Sequence, residues 1–173
     1  MKVLLMGHPN VGKSVFFNRL TGSNVIESNY PGTTVDYTKG YMRLENRDVE
    51  VIDVPGTFSL EPKDKAEEVA VKMLEEGKDA IIVCVIDASK IERGLYLALE
   101  IIEKGYPVII ALNMWDVAKE KNIEIDVKAL EKILGVPVIP TVAISGEGIK
   151  GIVSRIKEAA PVKIEKIIKN VGG

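Results

Sequence analysis

Short apolar, β-branched runs alternate along this chain with longer segments whose apolar residues recur at helical spacing. Residues 2–6, 80–87, 107–112 and 136–142 have strand length, and the runs at 80–87 and 107–112 are apolar enough to be buried on both faces. Residues 35–44 and 49–54 flank the turn-like Glu45-Asn46-Arg47-Asp48 and predict an antiparallel hairpin. Helical period marks residues 14–20, with Val15, Phe16 and Leu20 facing inward, then residues 64–76, 91–104 and 148–159. A helix over 127–134 has Asp126 as its N-cap and Gly135 as its stop. Residues 22–34, with Asn29, Pro31 and Gly32, and residues 56–63 read as irregular loops.

Strands alternating with helices in this way predict a mostly parallel sheet covered on both faces, with roughly six strands and five helices. One domain over 1–160 accounts for the pattern. The tail, 161–173, carries Val162, Ile164, Ile167, Ile168 and Val171 and reads as the start of a further helix outside the main core.

Composition narrows the function classes only a little. The 173 residues carry 23 Lys and Arg against 25 Asp and Glu, a net charge of −2, which argues against nucleic acid as the main partner. The one cysteine, Cys84, lies in an apolar run and has no partner for a disulfide, so a reducing, cytosolic setting is the simplest reading. The apolar start breaks at Gly7, too early for a signal peptide, and no apolar run has the length of a membrane span.

The chemistry is concentrated in a few motifs. Gly7-His8-Pro9-Asn10-Val11-Gly12-Lys13-Ser14 fits G-x-x-x-x-G-K-[ST] between a strand and a helix, the context that confirms a phosphate loop. Glycines let backbone N–H groups turn toward phosphate oxygens, and the helix N-terminus adds a favourable dipole. Lys13 then reaches the β- and γ-phosphates, the Ser14 hydroxyl binds Mg²⁺, and Val15 follows in the first turn. The His8 side chain is expected to point away. Asp53-Val54-Pro55-Gly56 ends a strand, placing Asp53 to hold Mg²⁺ through a water and the Gly56 N–H to meet a γ-phosphate.

In the loop between these motifs, Thr33 and Thr34 offer hydroxyls that complete the magnesium shell when γ-phosphate is present, and Thr33 fits an ordinary turn equally well. Asn113-Met114-Trp115-Asp116 follows a buried strand. The Asp116 carboxylate accepts from guanine N1–H and the exocyclic amine, a donor pair adenine lacks, so it selects GTP over ATP. Asn113 binds the base and braces the loop. Val142, Ala143 and Ile144 form a further loop, with the Ala143 N–H directed to guanine O6.

Together these stretches resemble the translation-factor-related GTPases and, more closely, the cytosolic domain of the FeoB ferrous-iron transport family. The resemblance is carried by the phosphate loop, by Asn29-Tyr30-Pro31-Gly32-Thr33-Thr34-Val35, by Asp53-Val54-Pro55-Gly56-Thr57-Phe58-Ser59-Leu60, by Asn113-Met114-Trp115-Asp116 and by Glu92-Arg93-Gly94-Leu95-Tyr96-Leu97. It covers nearly all of 1–159. Tyr30, Thr33, Met114, Val142 and Ala143 depart from the commoner residues at those places.

The resemblance implies a P-loop NTPase of the Ras-like G-domain type, with a six-stranded, mostly parallel sheet and one antiparallel edge strand. It implies Thr34 as the magnesium-binding switch threonine, Gly32 and Thr33 as its neighbours in the site, and GTP and GDP as substrate and product. Likeness to potassium-activated members implies that Asn10 helps hold K⁺ against the phosphates. Family members continue into a helical domain and a membrane-embedded iron channel. The chain therefore reads as a fragment at the cytoplasmic face of the cell membrane, or as a stand-alone relative, with homo-oligomer formation left open. Two other readings compete: a soluble Era/Obg-like GTPase of ribosome or RNA assembly, which the net charge disfavours, and a non-hydrolysing scaffold, which Lys13, Ser14, Asp53 and Thr34 disfavour.

Overall fold

The computed structural model describes residues 1–22 and 24–172; Ser23, in the first expected loop, and Gly173, at the end of the expected tail, lie outside the described residues. Seven strands form one sheet: β1 (Lys2–Gly7), β2 (Ile26–Asn29), β3 (Asp36–Leu44), β4 (Arg47–Asp53), β5 (Ala80–Asp87), β6 (Val108–Asn113) and β7 (Val138–Pro140). Their order is β2-β3-β4-β1-β5-β6-β7. β1 lies between β4 and β5 and pairs parallel with both, while β3 is antiparallel to β2 and to β4.

The class is the expected one, with seven strands in place of six. β2 falls in the segment read as loop. It is an edge strand whose residues are mostly exposed, Ile26 included, so no hydrophobic alternation betrays it. As a result the strand of reversed direction, β3, sits one place in from the edge.

The pleat sorts the buried side chains into two cores. Leu4 and Met6, Ile82, Cys84 and Ile86, and Ile110 and Leu112 face one of them. Val3 and Leu5, Ile81, Val83 and Val85, and Ile109 and Ala111 face the other. Helices α2 (Lys65–Glu76), α3 (Ile91–Glu103) and α5 (Val127–Leu134) cover the first, and α1 (Lys13–Thr21) and α6 (Ile149–Arg155) cover the second. Full burial pushes the Cys84 thiol up to about 12, leaving it an inert core residue.

Three expectations shift. In α1 the buried residues are Phe16, Phe17 and Leu20, while Val15 is 40 % exposed, because the first turn opens onto the cleft described below. A short helix, α4 (Trp115–Glu120), was not expected; six residues are too few for a period to show. The tail forms α7 (Ile164–Gly172), and it does not lie outside the main core. Ile167 is buried in the first core, and Asn170 Nδ2 donates to the Ile133 carbonyl at 3.0 Å.

Gly94 is where α3 meets the sheet most closely. A Cβ there would lie 2.4 Å from Ile86 Cγ2 and 2.9 Å from its Cγ1, so the helix has no room for a methyl group. Gly94→Ala should destabilise the domain by about 1–3 kcal/mol, although alanine is the better helix former. A thermal melt gives the answer: an unchanged or raised Tm would show that the packing relaxes freely.

Candidate nucleotide-binding site

At the carboxyl ends of β1, β4 and β6 the chain turns away from the sheet, and the three motifs meet there. Gly7 closes β1 where a Cβ would lie 2.5 Å from the Val85 carbonyl oxygen. Asn10 and Gly12 take left-handed backbone, φ 65° and 82°, and Gly12 leads directly into α1. This winding curls the loop around an open cleft of about 490 Å³ lined by His8, Pro9, Asn10, Gly12, Lys13, Ser14, Val15 and Gly56. A second hollow of about 290 Å³ shares Lys13, Ser14 and Gly56 and extends past Asp53 to Glu27, Asp36, Tyr37 and Thr38 of the β2–β3 ribbon. Those four residues carry no motif, and the sequence alone gives no sign of them.

Lys13 and Asp53 form an ion pair with little exposed side-chain surface, and Lys13 also donates to the Val54 carbonyl. Ser14 Oγ lies 3.5 Å from Asp53 Oδ2. One hydroxyl and one carboxylate at the mouth of a phosphate loop suit Mg²⁺, which prefers oxygen ligands and keeps part of its water shell. No cluster of three or more His, Cys, Asp or Glu placed to hold a metal occurs among the described residues, and phosphate oxygens and water would complete such a shell.

The base side is built on Asn113. Its side chain is buried, Nδ2 donates to the Val11 carbonyl at 2.9 Å, and Oδ1 accepts from the Thr141 hydroxyl and the Ala143 N–H, both at 3.0 Å. Met114, in left-handed backbone at φ 57°, turns the chain into α4 and leaves Asp116 exposed in its first turn. The Ala143 N–H, expected to meet guanine O6, donates to Asn113 Oδ1 in this structure, and Ala143 is buried. Val142 bridges to Glu147, and Ile144 is 78 % exposed.

The loop before β3 stands apart from the cleft. Thr33 closes a turn, its hydroxyl donating to the Tyr30 carbonyl at 2.9 Å and accepting from the Val35 N–H at 3.1 Å. Of the two readings open for Thr33, the turn is the one observed. Gly32, at φ 77°, belongs to the same turn, and Thr34 is exposed; none of the three lines either hollow. Tyr30 packs on the first core and its hydroxyl bonds Glu76, which draws the loop toward α2.

The loop after Gly56 is held by two carboxylates that the motifs did not reveal. Glu67, buried on α2, accepts from the Phe58 N–H at 2.9 Å, the Lys63 N–H at 3.0 Å and the Thr57 hydroxyl at 3.1 Å. Glu100 on α3 accepts from the Leu60 N–H at 3.2 Å. The spacing Asp64-x-x-Glu67 is the signal that was available, since a helix N-cap is often followed by Glu three residues later. Asp64 does cap α2, accepting from the Glu67 N–H at 2.8 Å. His8 turns its ring toward Phe58, with centroids 5.0 Å apart, and burial lowers its pKa below 6.5, so the ring is neutral at pH 7.

A mostly parallel sheet whose first strand delivers a phosphate loop to a lysine, a serine and an aspartate, beside a loop built on an asparagine, defines a P-loop nucleotide-binding domain of the G-domain class. The family model described as "Ferrous iron transport protein B" matches residues 1–156, and the chain belongs to that family. It is 41% identical over 152 residues to the Fe(2+) transporter FeoB of Escherichia coli K12, covering 86% of this chain and 20% of that protein. It is 40% identical over 151 residues to a fusion of Fe(2+) transport protein A and FeoB from Porphyromonas gingivalis, covering 86% and 18%. The chain thus spans about a fifth of the length of these curated relatives.

Among solved structures, the cytosolic domain of L. pneumophila FeoB superposes with a TM-score of 0.90 at 37% identity, covering 94% of this chain and 70% of that one. The T. maritima FeoB cytosolic domain in its GMPPNP form gives 0.86 at 39% identity, covering 91% and 63%. No helix among the described residues is long and apolar enough to cross a membrane.

The hydrogen bond from the Phe58 N–H, together with burial that opposes it and the bonds from Lys63 and Thr57, leaves the Glu67 carboxyl below its ordinary value of 4.5. A lowered folded pKa means the stabilisation is complete above the ordinary carboxyl range and is lost as pH falls through the lowered value. Glu67→Gln should therefore weaken the 57–63 loop by about 1–3 kcal/mol at neutral pH and flatten its acid dependence. Amide exchange across the loop from pH 7 down to about pH 3 measures this; parallel curves for both proteins would contradict it.

Proposed function

We propose that this domain binds guanine nucleotide in the cleft over Gly7–Ser14 and hydrolyses GTP to GDP and phosphate, and that this cycle serves ferrous-iron movement through a membrane-embedded part of a longer protein. The observation that carries the nucleotide reading is the Asn113 carboxamide, which ties the phosphate loop at Val11 to the loop of Ala143, with the exposed Asp116 three residues further along the chain. The iron reading rests on family membership and on relatives named as Fe(2+) transporters. It places the domain at the cytoplasmic face of the membrane, and it leaves homo-oligomer formation for direct measurement.

On binding, Lys13 exchanges Asp53 and the Val54 carbonyl for phosphate oxygens, and Asp53 is released toward the metal side. Ser14 would hold Mg²⁺ directly and Asp53 through a water. The ion, when bound, offsets charge on the β- and γ-phosphates. Gly56 would offer its N–H to the γ-phosphate; a Cβ there would lie 3.0 Å from the Pro9 nitrogen, so any larger residue would press the two loops apart. Thr34 reaches the metal only if the loop that now leans on Glu76 moves across, which makes that loop the element that distinguishes GTP from GDP.

Hydrolysis breaks the bond between the γ-phosphorus and the β–γ bridging oxygen as water attacks in line. Thr57 does not orient that water: it is buried, and its hydroxyl donates to the Ser59 carbonyl at 2.7 Å and lies 3.1 Å from Glu67. No arginine lines the cleft among the described residues. Asn10 does, with an exposed side chain. A K⁺ ion held by Asn10 would supply the electrostatic stabilisation that an arginine supplies elsewhere.

Base choice tests the site directly. Asp116→Asn should weaken GTP at least about tenfold, through loss of a charge-assisted pair worth about 1.5–3 kcal/mol, and should strengthen xanthosine triphosphate. Calorimetric titration with both nucleotides decides, and unchanged GTP affinity removes Asp116 from the base site. Turnover tests the cation. Hydrolysis should be faster in potassium than in sodium at matched ionic strength, and Asn10→Ala should erase most of that difference while nucleotide stays bound. Equal rates in the two salts for the unaltered domain would leave charge stabilisation to a partner protein.

A further inference from the structure

We propose that Arg19 is a positioning residue for guanine recognition: it clamps the 141–146 loop from the helix that the phosphate loop opens, and so sets the rate at which nucleotide leaves. The inference rests on reading Asn113–Asp116 and 141–146 as the base pocket. Arg19 lies in the last turn of α1, where a cation also complements the helix dipole. Its Nε donates to the Ala143 carbonyl at 2.9 Å, and its Nη2 donates to the Ile144 carbonyl. Two consecutive carbonyls are thus held by one planar fork, a geometry lysine cannot reproduce.

The Ala143 peptide is gripped from both sides, its N–H by Asn113 and its carbonyl neighbour by Arg19. Asn113 reaches the phosphate loop at Val11, and Arg19 reaches it through two turns of α1. At its start the loop is tied to β6 and α4: the Thr141 N–H donates to the Leu112 carbonyl at 2.8 Å and the Trp115 N–H donates to the Thr141 carbonyl at 3.1 Å. Beyond Thr141 its backbone bonds are short-range, the Ser145 and Gly146 N–H groups to the Val142 carbonyl at 3.1 and 2.9 Å and the Val142 N–H to the Glu147 carbonyl at 2.9 Å. Those later bonds shape the turn, and its seat rests on Asn113, on the buried Ala143 and on Arg19. Gly146, in left-handed backbone at φ 87°, places its Cβ position 3.6 Å from the Arg19 guanidinium, so the clamp also covers the turn. Arg19 belongs to none of the recognised motifs, and its distance in sequence from the loop hides the contact.

Removing the clamp frees the loop over the base while leaving the phosphate loop intact. Arg19→Ala should speed GDP release on the order of tenfold, as loss of partly exposed charge-assisted bonds implies, and Arg19→Lys should fall between it and the unaltered protein. Stopped-flow displacement of fluorescent GDP reads the rate, and competition by ADP reads a ligand with the same phosphates and a base the pocket does not fit. Faster GDP release with ADP affinity changed less than twofold supports the clamp. Unchanged release in both variants, or equal weakening of GDP and ADP, overturns it. If the unaltered domain binds GDP no better than ADP, the guanine reading fails first and the clamp with it.

Discussion

The buried carboxamide of Asn113 is the constraint on which the site's geometry depends. A buried amide left unpaired costs about 1–3 kcal/mol for each lost partner, so its position is dictated by the groups that satisfy it. Those groups come from two places far apart in sequence: Val11 in the phosphate loop, and Thr141 and Ala143 beyond the last strand. Gly12 is part of the same constraint, because a Cβ there would lie 2.5 Å from Asn113 Nδ2. The second glycine of the phosphate loop is therefore required twice, by its left-handed backbone and by the asparagine packed against it. The distance between phosphate and base subsites follows from these contacts and needs no ligand to define it.

Charge is arranged differently on the two sides of the cleft. Lys13 and Asp53, both nearly buried, neutralise one another, which limits the cost of keeping charges away from water. Around Gly56 the anchoring groups are carboxylates on α2 and α3 that receive backbone N–H groups. Under the proposed function the first arrangement is an exchangeable pair, since each member would find a partner in a magnesium–phosphate group. The second is a tether, which holds the 57–63 loop and resists its displacement.

Much of this was legible in the sequence because phosphate and base recognition depend on residues of fixed type at fixed spacing. Gly7–Ser14, Asp53–Gly56 and Asn113–Asp116 each end a strand, and hydrophobic periodicity locates those ends. What stayed hidden depends on contacts between distant segments. β2 has no buried face to give it a pattern, Val15 looks apolar but opens onto the cleft, and Ile167 reveals its place in the core only once α7 packs. Thr33 and Ala143 show what spacing alone does not carry. A hydroxyl or N–H in the right loop suggests a ligand, yet the structure gives each an internal partner, and sequence spacing does not report which donors are already used.

The tether also determines where a change at the γ-phosphate can be felt. The residue after Gly56 is pinned to the phosphate loop, with the Thr57 N–H donating to the Gly7 carbonyl at 3.0 Å, so the start of the loop cannot drift far. Motion must be taken up beyond it, at Phe58 to Lys63, where the N–H groups are held by Glu67 and Glu100. Those carboxylates sit on two of the helices that cover the first core, and α3 in turn packs with α7 in that core. Contiguity alone does not make a coupling pathway; a segment with two arrangements does. The 57–63 loop has the means for two, because its carboxylate anchors accept N–H groups and can be exchanged for water at modest cost, whereas the phosphate loop, locked by Gly12 and Asn113, has no comparable freedom. Under the proposed function, the rigid half of the site reads the nucleotide, and the tethered half is the one able to report it to the helical face.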